Sequence, residues 1–361
     1  MSGPLLLHSL AEFRELIFGC CDVVGPRSLV EVGAEDGTFT VELLRWARGH
    51  GAAVHAVEPL PKPAVTELAE RWPELHLVEE RSPEALEKLE PADVYLIDGD
   101  HNYVTVRAEL GAIFGGEADR PCLVFLHDVR WPSGRRDMYY DPQSLPPEAV
   151  HPHTYEKGVV PGSDGVVEGG FRGAGHFAWA EHEGGPANGV RTAVEDFLEA
   201  HGQELVFVTV PCVFGLGVVY PASAPWARSL EEVLAPYADN PLLARLEDNR
   251  LALYLAVLQF QDHLVQTTQL LEQARLERRD VDAENRALWA RTAELEHLLD
   301  AQVHDLRTKL ELLRQEMDDL AHSRAFAVAE GVSRARRLGG GSDSHLSRRR
   351  LRELLETTAA S

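Results

Sequence analysis

Cysteine is scarce: four in 361 residues, two of them adjacent at Cys20 and Cys21, with no Cys-x-x-Cys pair. That excludes a disulfide framework and a paired-thiolate zinc site. Buried reduced thiols suit a reducing compartment, so the expected location is the cytoplasm. Long apolar runs are missing too. Leu5-Leu6-Leu7 is far too short to cross a bilayer, and Met1 to Leu10 lacks a basic leader or cleavage pattern, so neither a membrane span nor a signal segment is expected. Positive charge is in deficit. Lys plus Arg number 35 against 58 Asp plus Glu, a formal net charge of −23. This opposes non-specific binding to nucleic acid or an anionic membrane.

What is present begins with Ser28-Leu-Val-Glu-Val-Gly-Ala-Glu-Asp-Gly-Thr-Phe-Thr40. It reads as a buried strand, a glycine turn at Gly33 and Gly37, and the start of a helix. Such a turn aims helix N-terminal amides at a ligand, and a missing Cβ lets that ligand approach. The spacing is Gly-x-x-x-Gly, which departs from the dinucleotide fingerprint and leaves little room for a pyrophosphate. His55-Ala-Val-Glu58 ends a second strand in an acid about twenty residues on, where a carboxylate can hold both ribose hydroxyls.

Alternation continues down the chain. A helix at 5–24 precedes strands at 29–32, 53–57, 75–78, 94–97 and 122–126. Helices fall near 38–49, 63–71, 83–89 (with Ser82 as its cap) and 104–113. The pattern predicts a doubly wound, mostly parallel Rossmann-like α/β sheet. Residues 130–188 lose periodicity but keep Trp131, Tyr139, Tyr140, Tyr155, Phe171, Phe177 and Trp179. A long irregular stretch so rich in aromatics reads as an ordered active-site cover. In it, Arg130, Arg135, Arg136, Asp137, Tyr139, Tyr140, His151, His153 and His176 are candidates for substrate contact. A helix at 189–201 and a closing β-hairpin at 205–210 and 215–220 follow.

Glycine and proline then nearly vanish. Val281, Asn285, Leu288, Thr292, Leu295 and Leu299 alternate spacings of four and three, as do Val303, Leu306, Leu310, Leu313, Met317 and Leu320. A stutter joins the two heptad runs, and Asn285 at a seam position helps fix register. The expected organisation is a catalytic domain over 1–225, a helical linker and coiled coil over 226–322, and a basic tail over 323–361. The tail contains Gly339-Gly-Gly-Ser342 and Arg334, Arg336, Arg337, Arg348, Arg349 and Arg350. The coiled coil implies a homo-oligomer or a partner enzyme.

Glu31 to Gly37 and Val57-Glu58-Pro59 together resemble the first two motifs of class I S-adenosylmethionine-dependent methyltransferases. Asp93-Val-Tyr-Leu-Ile-Asp-Gly-Asp-His-Asn-Tyr103 and Cys122-Leu-Val-Phe-Leu-His-Asp128 extend the resemblance. They are similar to the fourth and fifth strands of a bacterial subgroup acting on sugars and antibiotic-type small molecules. The resemblance spans residues 25–220. It implies S-adenosylmethionine as donor, with Gly33, Gly37, Glu58 and Asp98 at the donor site. Ser82 stands where the family contacts adenine, and Glu31 or Asp36 can meet the methionine ammonium.

The second constellation is Asp98, Asp100, His101 and Asp128, all following parallel strands and free to converge. Either Asp100 or His101 can serve as general base. Asp98 and Asp128 are the candidate metal ligands, Mg²⁺ being the natural hard cation. The subgroup carries adjacent aspartates after its fifth strand. Here His127 replaces one of them, which counts against the metal. The expected activity is O-methylation of a small-molecule acceptor, a sugar or a glycosylated or polyketide-like compound. Two rivals remain: a metal-dependent hydroxylase or hydrolase reusing Asp98, His101, His127 and Asp128, and a non-catalytic coiled-coil scaffold.

Overall fold

The computed structural model describes residues 5–115, 121–202 and 204–339, and residue 353. The chain divides into two units, Met1–Gln266 and Thr267–Ser361.

The first unit enters through a 3-10 turn at Leu10–Phe13, whose first N–H groups are capped by the Ser9 hydroxyl accepting from Ala11 at 3.2 Å. Helix α1 (Arg14–Val24) follows and stops at Gly25 in the left-handed conformation. The helix expected from Leu5 therefore starts only at Leu10, as a 3-10 turn, because a serine that satisfies a helix start belongs outside it. Then come β1 (Ser28–Val32), α2 (Thr38–His50), β2 (Ala53–Val57), α3 (Pro63–Arg71), β3 (Leu75–Val78), α4 (Ser82–Lys88), β4 (Val94–Ile97), α5 (Tyr103–Phe114) and β5 (Leu123–Leu126). The 130–188 stretch forms three short strands, β6 (Met138–Tyr139), β7 (His153–Thr154) and β8 (Ala178–Ala180), in a separate sheet ordered β6-β8-β7. Helix α6 (Val190–Ala200) and strands β9 (Leu205–Val210) and β10 (Leu216–Pro221) complete the main sheet.

That sheet has seven strands in the order β3-β2-β1-β4-β5-β10-β9. The first five are parallel, and β10 runs antiparallel to both β5 and β9. The Rossmann-like α/β architecture and the closing hairpin are as the alternation predicts. Buried runs such as Val94-Tyr-Leu-Ile97 have no polar face because helices cover both sides. Ile17, Leu43, Leu44, Phe125 and Leu230 form the core on one side. Val30, Ile97, Val106, Leu110 and Val194 form the core on the other. The order reverses between β1 and β4, and in such sheets the crevice beyond the strand carboxyl ends at that point takes the ligand.

The cover is pinned by buried polar groups. Arg136, with no exposed surface, donates to the carbonyls of Ala180 at 2.6 Å and Ser163 at 3.3 Å. Asp137 accepts from the N–H groups of Tyr103 at 2.8 Å and Gly189 at 2.7 Å, and from the Tyr139 hydroxyl at 2.8 Å. One buried carboxylate thus joins the starts of α5 and α6 to β6.

Helix α7 (Ala227–Leu234) precedes α8 (Pro241–His322) and α9 (Arg324–Leu338). In the second unit, Val281, Leu288, Leu295, Leu299, Val303, Leu306, Leu310, Leu313, Met317 and Leu320 are exposed. Ser323 separates the two helices and caps α9, its hydroxyl accepting from the Phe326 N–H at 3.1 Å. Of the basic tail, Arg334 and Arg336 lie on α9. Gly340 to Ser342 and Arg348 to Arg350 lie outside the described residues, as does the start Met1 to Pro4.

Candidate active site

The glycine turn after β1 is shaped by the protein itself. Gly33 adopts φ +86°, and a Cβ there would fall 2.2 Å from the Asp98 backbone oxygen. Gly37 has φ +79°, and its Cβ would fall 2.8 Å from the Leu68 side chain. The space expected for a ligand's close approach is taken by β4 and α3, so both glycines answer first to their neighbours. Glu58 lies at the carboxyl end of β2, half-buried. Its two oxygens accept from the N–H groups of Glu35 at 3.3 Å and Leu60 at 3.2 Å. A carboxylate fixed in this way presents its remaining lone pairs to the crevice beside the turn.

Glu31 does not sit as an anionic partner for an ammonium. It is 2% exposed, and its carboxyl accepts from the Thr40 hydroxyl at 2.7 Å. Burial pushes its pKa up to about 8; the Thr40 bond opposes this, while Asp98 and Glu58 add to it. The balance favours the neutral acid. Asp36 is exposed and accepts from the Thr38 N–H at 2.9 Å, which ties it to the start of α2. Burial, the largest single effect, raises its pKa, but the bonds from Thr38 and the charge of Lys62 together outweigh it and leave it lowered.

Ser82 is not the cap of α4. It is the first helical residue, and the preceding Arg81 makes no side-chain cap. The Ser82 hydroxyl instead donates to Glu109, a fully buried carboxyl on α5. Burial pushes Glu109 up to about 8, against the Ser82 bond and with the help of Asp100. The sequence reading missed Glu109. Its signal was a lone acid between Val106 and Leu110 on the apolar face of a helix.

The strand-end carboxylates do converge. His127 follows β5 and is buried between two of them. Its Nδ1 lies 3.0 Å from Asp98 Oδ1 and 3.4 Å from Asp128 Oδ2. Its Nε2 lies 2.9 Å from the Val213 carbonyl. A carbonyl only accepts, so Nε2 carries a proton, and two carboxylates at Nδ1 favour a second. Burial opposes the charge, but Asp98 and Asp128 overcome it and hold the pKa well above the usual histidine value. Asp128, at φ +60°, also places Oδ2 3.2 Å from His101 Nδ1. Burial raises the Asp128 pKa, and the two histidines outweigh it, leaving it lowered. The helix start beside His101 is capped by Asn102, whose side chain accepts from the Thr105 N–H at 2.9 Å, so His101 is spared that task.

Asp100 stands apart from this ionic chain. Burial raises its pKa, while His101, the Tyr140 backbone N–H, Arg81 and the Asn102 side chain oppose. Its Oδ1 is buried with no hydrogen-bond partner among the described residues. The ring of His101 faces Tyr140 of the cover at 6.1 Å between centroids. A carboxyl with an unpartnered oxygen, a raised pKa and a cover beside it can accept a proton from a hydroxyl brought against it.

Residues 30–129, from within β1 to just past Asp128, match the family described as a methyltransferase domain. Over that span, less than a third of the chain, the sequence is similar to a methyltransferase domain. Solved structures with a similar fold include an assigned O-methyltransferase from Nostoc punctiforme PCC 73102 (15% identity, TM-score 0.35, covering 58% of this chain and 56% of that one). Others are the Podospora anserina methyltransferase PaMTH1 bound to SAH (13%, 0.35, 57% and 76%) and a Bacillus cereus O-methyltransferase in complex with SAH (13%, 0.35, 59% and 81%). This chain thus spans little more than half the length of the Nostoc protein. Likeness at this level says nothing of substrate. No curated protein matches the chain. Every group in the Asp98–Asp128 cluster falls inside the span of the methyltransferase domain, whereas Val213 lies beyond it.

Proposed function

We propose that the protein is an S-adenosylmethionine-dependent methyltransferase that transfers a methyl group to a hydroxyl of a small molecule, a sugar or a glycosylated or polyketide-like compound. The observation that carries this reading is Asp100 Oδ1, a buried carboxylate oxygen without a hydrogen-bond partner among the described residues, beside His101 and the cover. In the reading, Glu58 takes the donor's ribose hydroxyls and the crevice between β1 and β4 takes its sulfonium. The acceptor oxygen sits against Asp100, which removes its proton as the oxygen attacks the methyl carbon in line and the thioether leaves. His101 and Asp128 hold the acceptor side of the site in charge balance. Arg130, Arg135, His151, His153 and His176 of the cover remain candidates for acceptor recognition. The exposed apolar seam of the second unit would bind a second copy of the chain or a partner enzyme, and the protein would work in the cytoplasm.

A divalent cation is a finer part of the proposal. Ligand atoms of Asp98, His127 and Asp128 lie within 4.8 Å of one another. The Val213 carbonyl on Nε2 leaves Nδ1 turned toward the carboxylates, the orientation a ligating imidazole needs once Nδ1 has given up its proton to the incoming ion. One nitrogen with two carboxylates suits Mn²⁺ or Fe²⁺ better than Mg²⁺. When bound, such an ion would hold an acceptor diol and lower a hydroxyl pKa.

The test is transfer of radiolabelled methyl from S-adenosylmethionine to a panel of sugars and glycosides, with Asp100→Asn as control. The expected result is transfer to at least one hydroxylated acceptor, reduced by roughly a hundredfold or more in the variant, in line with loss of a general base. Transfer undiminished by Asp100→Asn would overturn the assignment of the base.

A further inference from the structure

The first turns of α8 reach the active site through the loop between β9 and β10. Glu247 on α8 is only 3% exposed. Its Oε2 accepts from the Val213 N–H at 3.0 Å, and its Oε1 from the Phe214 N–H at 2.9 Å. Arg250, one turn along, donates Nε to Oε2 at 2.7 Å and Nη2 to Oε1 at 2.6 Å. Both carboxylate oxygens therefore serve a planar guanidinium and two successive backbone amides.

The loop they hold is strained. Val213 has φ +47° and Phe214 φ +62°, both in the left-handed region. For a β-branched valine and a bulky phenylalanine this region is a true outlier, and it persists only where the surroundings over-determine it. Glu247 supplies that determination, because it fixes the N–H of each residue. The turn so held delivers the Val213 carbonyl to His127 Nε2. His127 is the residue that stands between Asp98 and Asp128.

A second route runs from the same pair. Arg250 Nη1 donates to the Leu7 carbonyl at 2.8 Å. Leu6 packs with Phe214 and Leu251. Three residues past Leu7, the Leu10 N–H points at Asp98 Oδ2 at 3.5 Å. Asp98 and His127, the two halves of one ion pair, are thus each held by a segment that α8 holds.

We propose that the Glu247–Arg250 pair is a positioning element for the active site: it sets the Val213 carbonyl, and through it the ring orientation of His127, and it seats residues 6–10 beside Asp98. Neither residue touches a reacting group. Glu247 lies well beyond the methyltransferase domain match and 34 residues from the amide it fixes. The helix that leads into the second unit therefore also completes the first. The proposal concerns the ring of His127 and stands or falls separately from the methyl-transfer reading.

The experiment uses the full-length protein labelled with ¹⁵N-histidine, the His127 ring signals being identified by their loss in His127→Asn. The wild type should show a protected Nε2–H signal from His127. In Glu247→Ala that signal should be lost or shifted while the His55 ring signal, from β2, stays in place. Exchange of the Val213 and Phe214 amides should rise by roughly tenfold or more, as loss of hydrogen bonds to a charged acceptor implies. Should Glu247→Ala not fold, Arg250→Met decides. It should move the same ring signal and speed amide exchange over Leu6 to Leu10. A His127 Nε2–H signal unmoved in folded Glu247→Ala, or in Arg250→Met where only that variant folds, overturns the proposal even if the loop amides exchange faster.

Discussion

His127 and Asp98 are paired at 3.0 Å through Nδ1, with the opposite ring nitrogen closed by a backbone carbonyl. The imidazole cannot turn without giving up one of these partners. Asp98 and Asp128 raise its pKa well above the usual histidine value, which favours the cation that lets the two carboxylates stand together. Replacing His127 with leucine should therefore leave two carboxylates facing each other without a cation. Removing one member of a buried ion pair costs about 3–5 kcal/mol. Urea unfolding of His127→Leu against the wild type at pH 7 measures this; a loss under 1 kcal/mol would mean the cluster is better solvated than its burial implies.

Gly33 should tolerate nothing larger. Alanine there would bring Cβ to 2.2 Å from the Asp98 carbonyl at a φ of +86°. Because the clash is with backbone, relief requires β1 and β4 to separate. The expected destabilisation is roughly 2–4 kcal/mol, from strain added to overpacking. Gly25→Ala, where a Cβ would meet nothing within 4 Å, is the control and should cost less. Thermal unfolding of both variants compares them directly.

Two buried carboxyls give the stability a pH dependence of known sign. Glu31 and Glu109 are each raised from an ordinary glutamate value to about 8. In the folded chain they stay protonated where the unfolded chain has released the proton. Their stabilising contribution is thus complete below about pH 4.5 and fades as pH rises through 8. Glutamine mimics the protonated form. The double variant Glu31→Gln/Glu109→Gln should gain on the wild type by several kcal/mol, up to about 7, between pH 5 and pH 8. Denaturant midpoints at the two pH values test it, and a constant difference would show that neither carboxyl holds its proton.

The apolar seam of the second unit should be the contact that oligomerises the chain. Leu299 and Leu306 are exposed at 60% and 62%. Leucines repeated at heptad spacing bury that surface only against another helix. Leu299→Asp with Leu306→Asp should convert a light-scattering mass above 40 kDa to the mass of one chain, 40.0 kDa, without altering donor binding. An unchanged mass would place assembly elsewhere.

Much of the fold was legible because parallel strands advertise themselves. Leu29 to Val32, Ala53 to Val57 and Val94 to Ile97 are apolar runs that end in polar clusters, and the helices between them carry ordinary amphipathic spacing. The convergence of Asp98, His127 and Asp128 was legible for the same reason, since carboxyl ends of neighbouring parallel strands meet. Less legible was which strand-end group is buried. Glu31 and Glu58 look alike in sequence, yet Thr40, nine residues on, closes over only the first. Ser82 reads as a cap because nothing local reveals Glu109 across the α4–α5 contact. Glu247 was invisible: its partners Val213 and Phe214 carry no turn-forming residue type, and the turn exists because a distant carboxylate holds it.

The central claim is donor binding, and calorimetric titration of the full-length protein with S-adenosylmethionine and S-adenosylhomocysteine tests it most directly. The expected result is saturable binding with one site per chain, weakened by roughly ten- to a hundredfold in Glu58→Ala, the range for a lost bond to a charged acceptor. Repeating the titration with Mn²⁺ and with Asp98→Ala separates the donor site from the ion. No heat of binding from either compound, with or without the cation and with the protein folded, would contradict the claim and leave the α/β unit a scaffold.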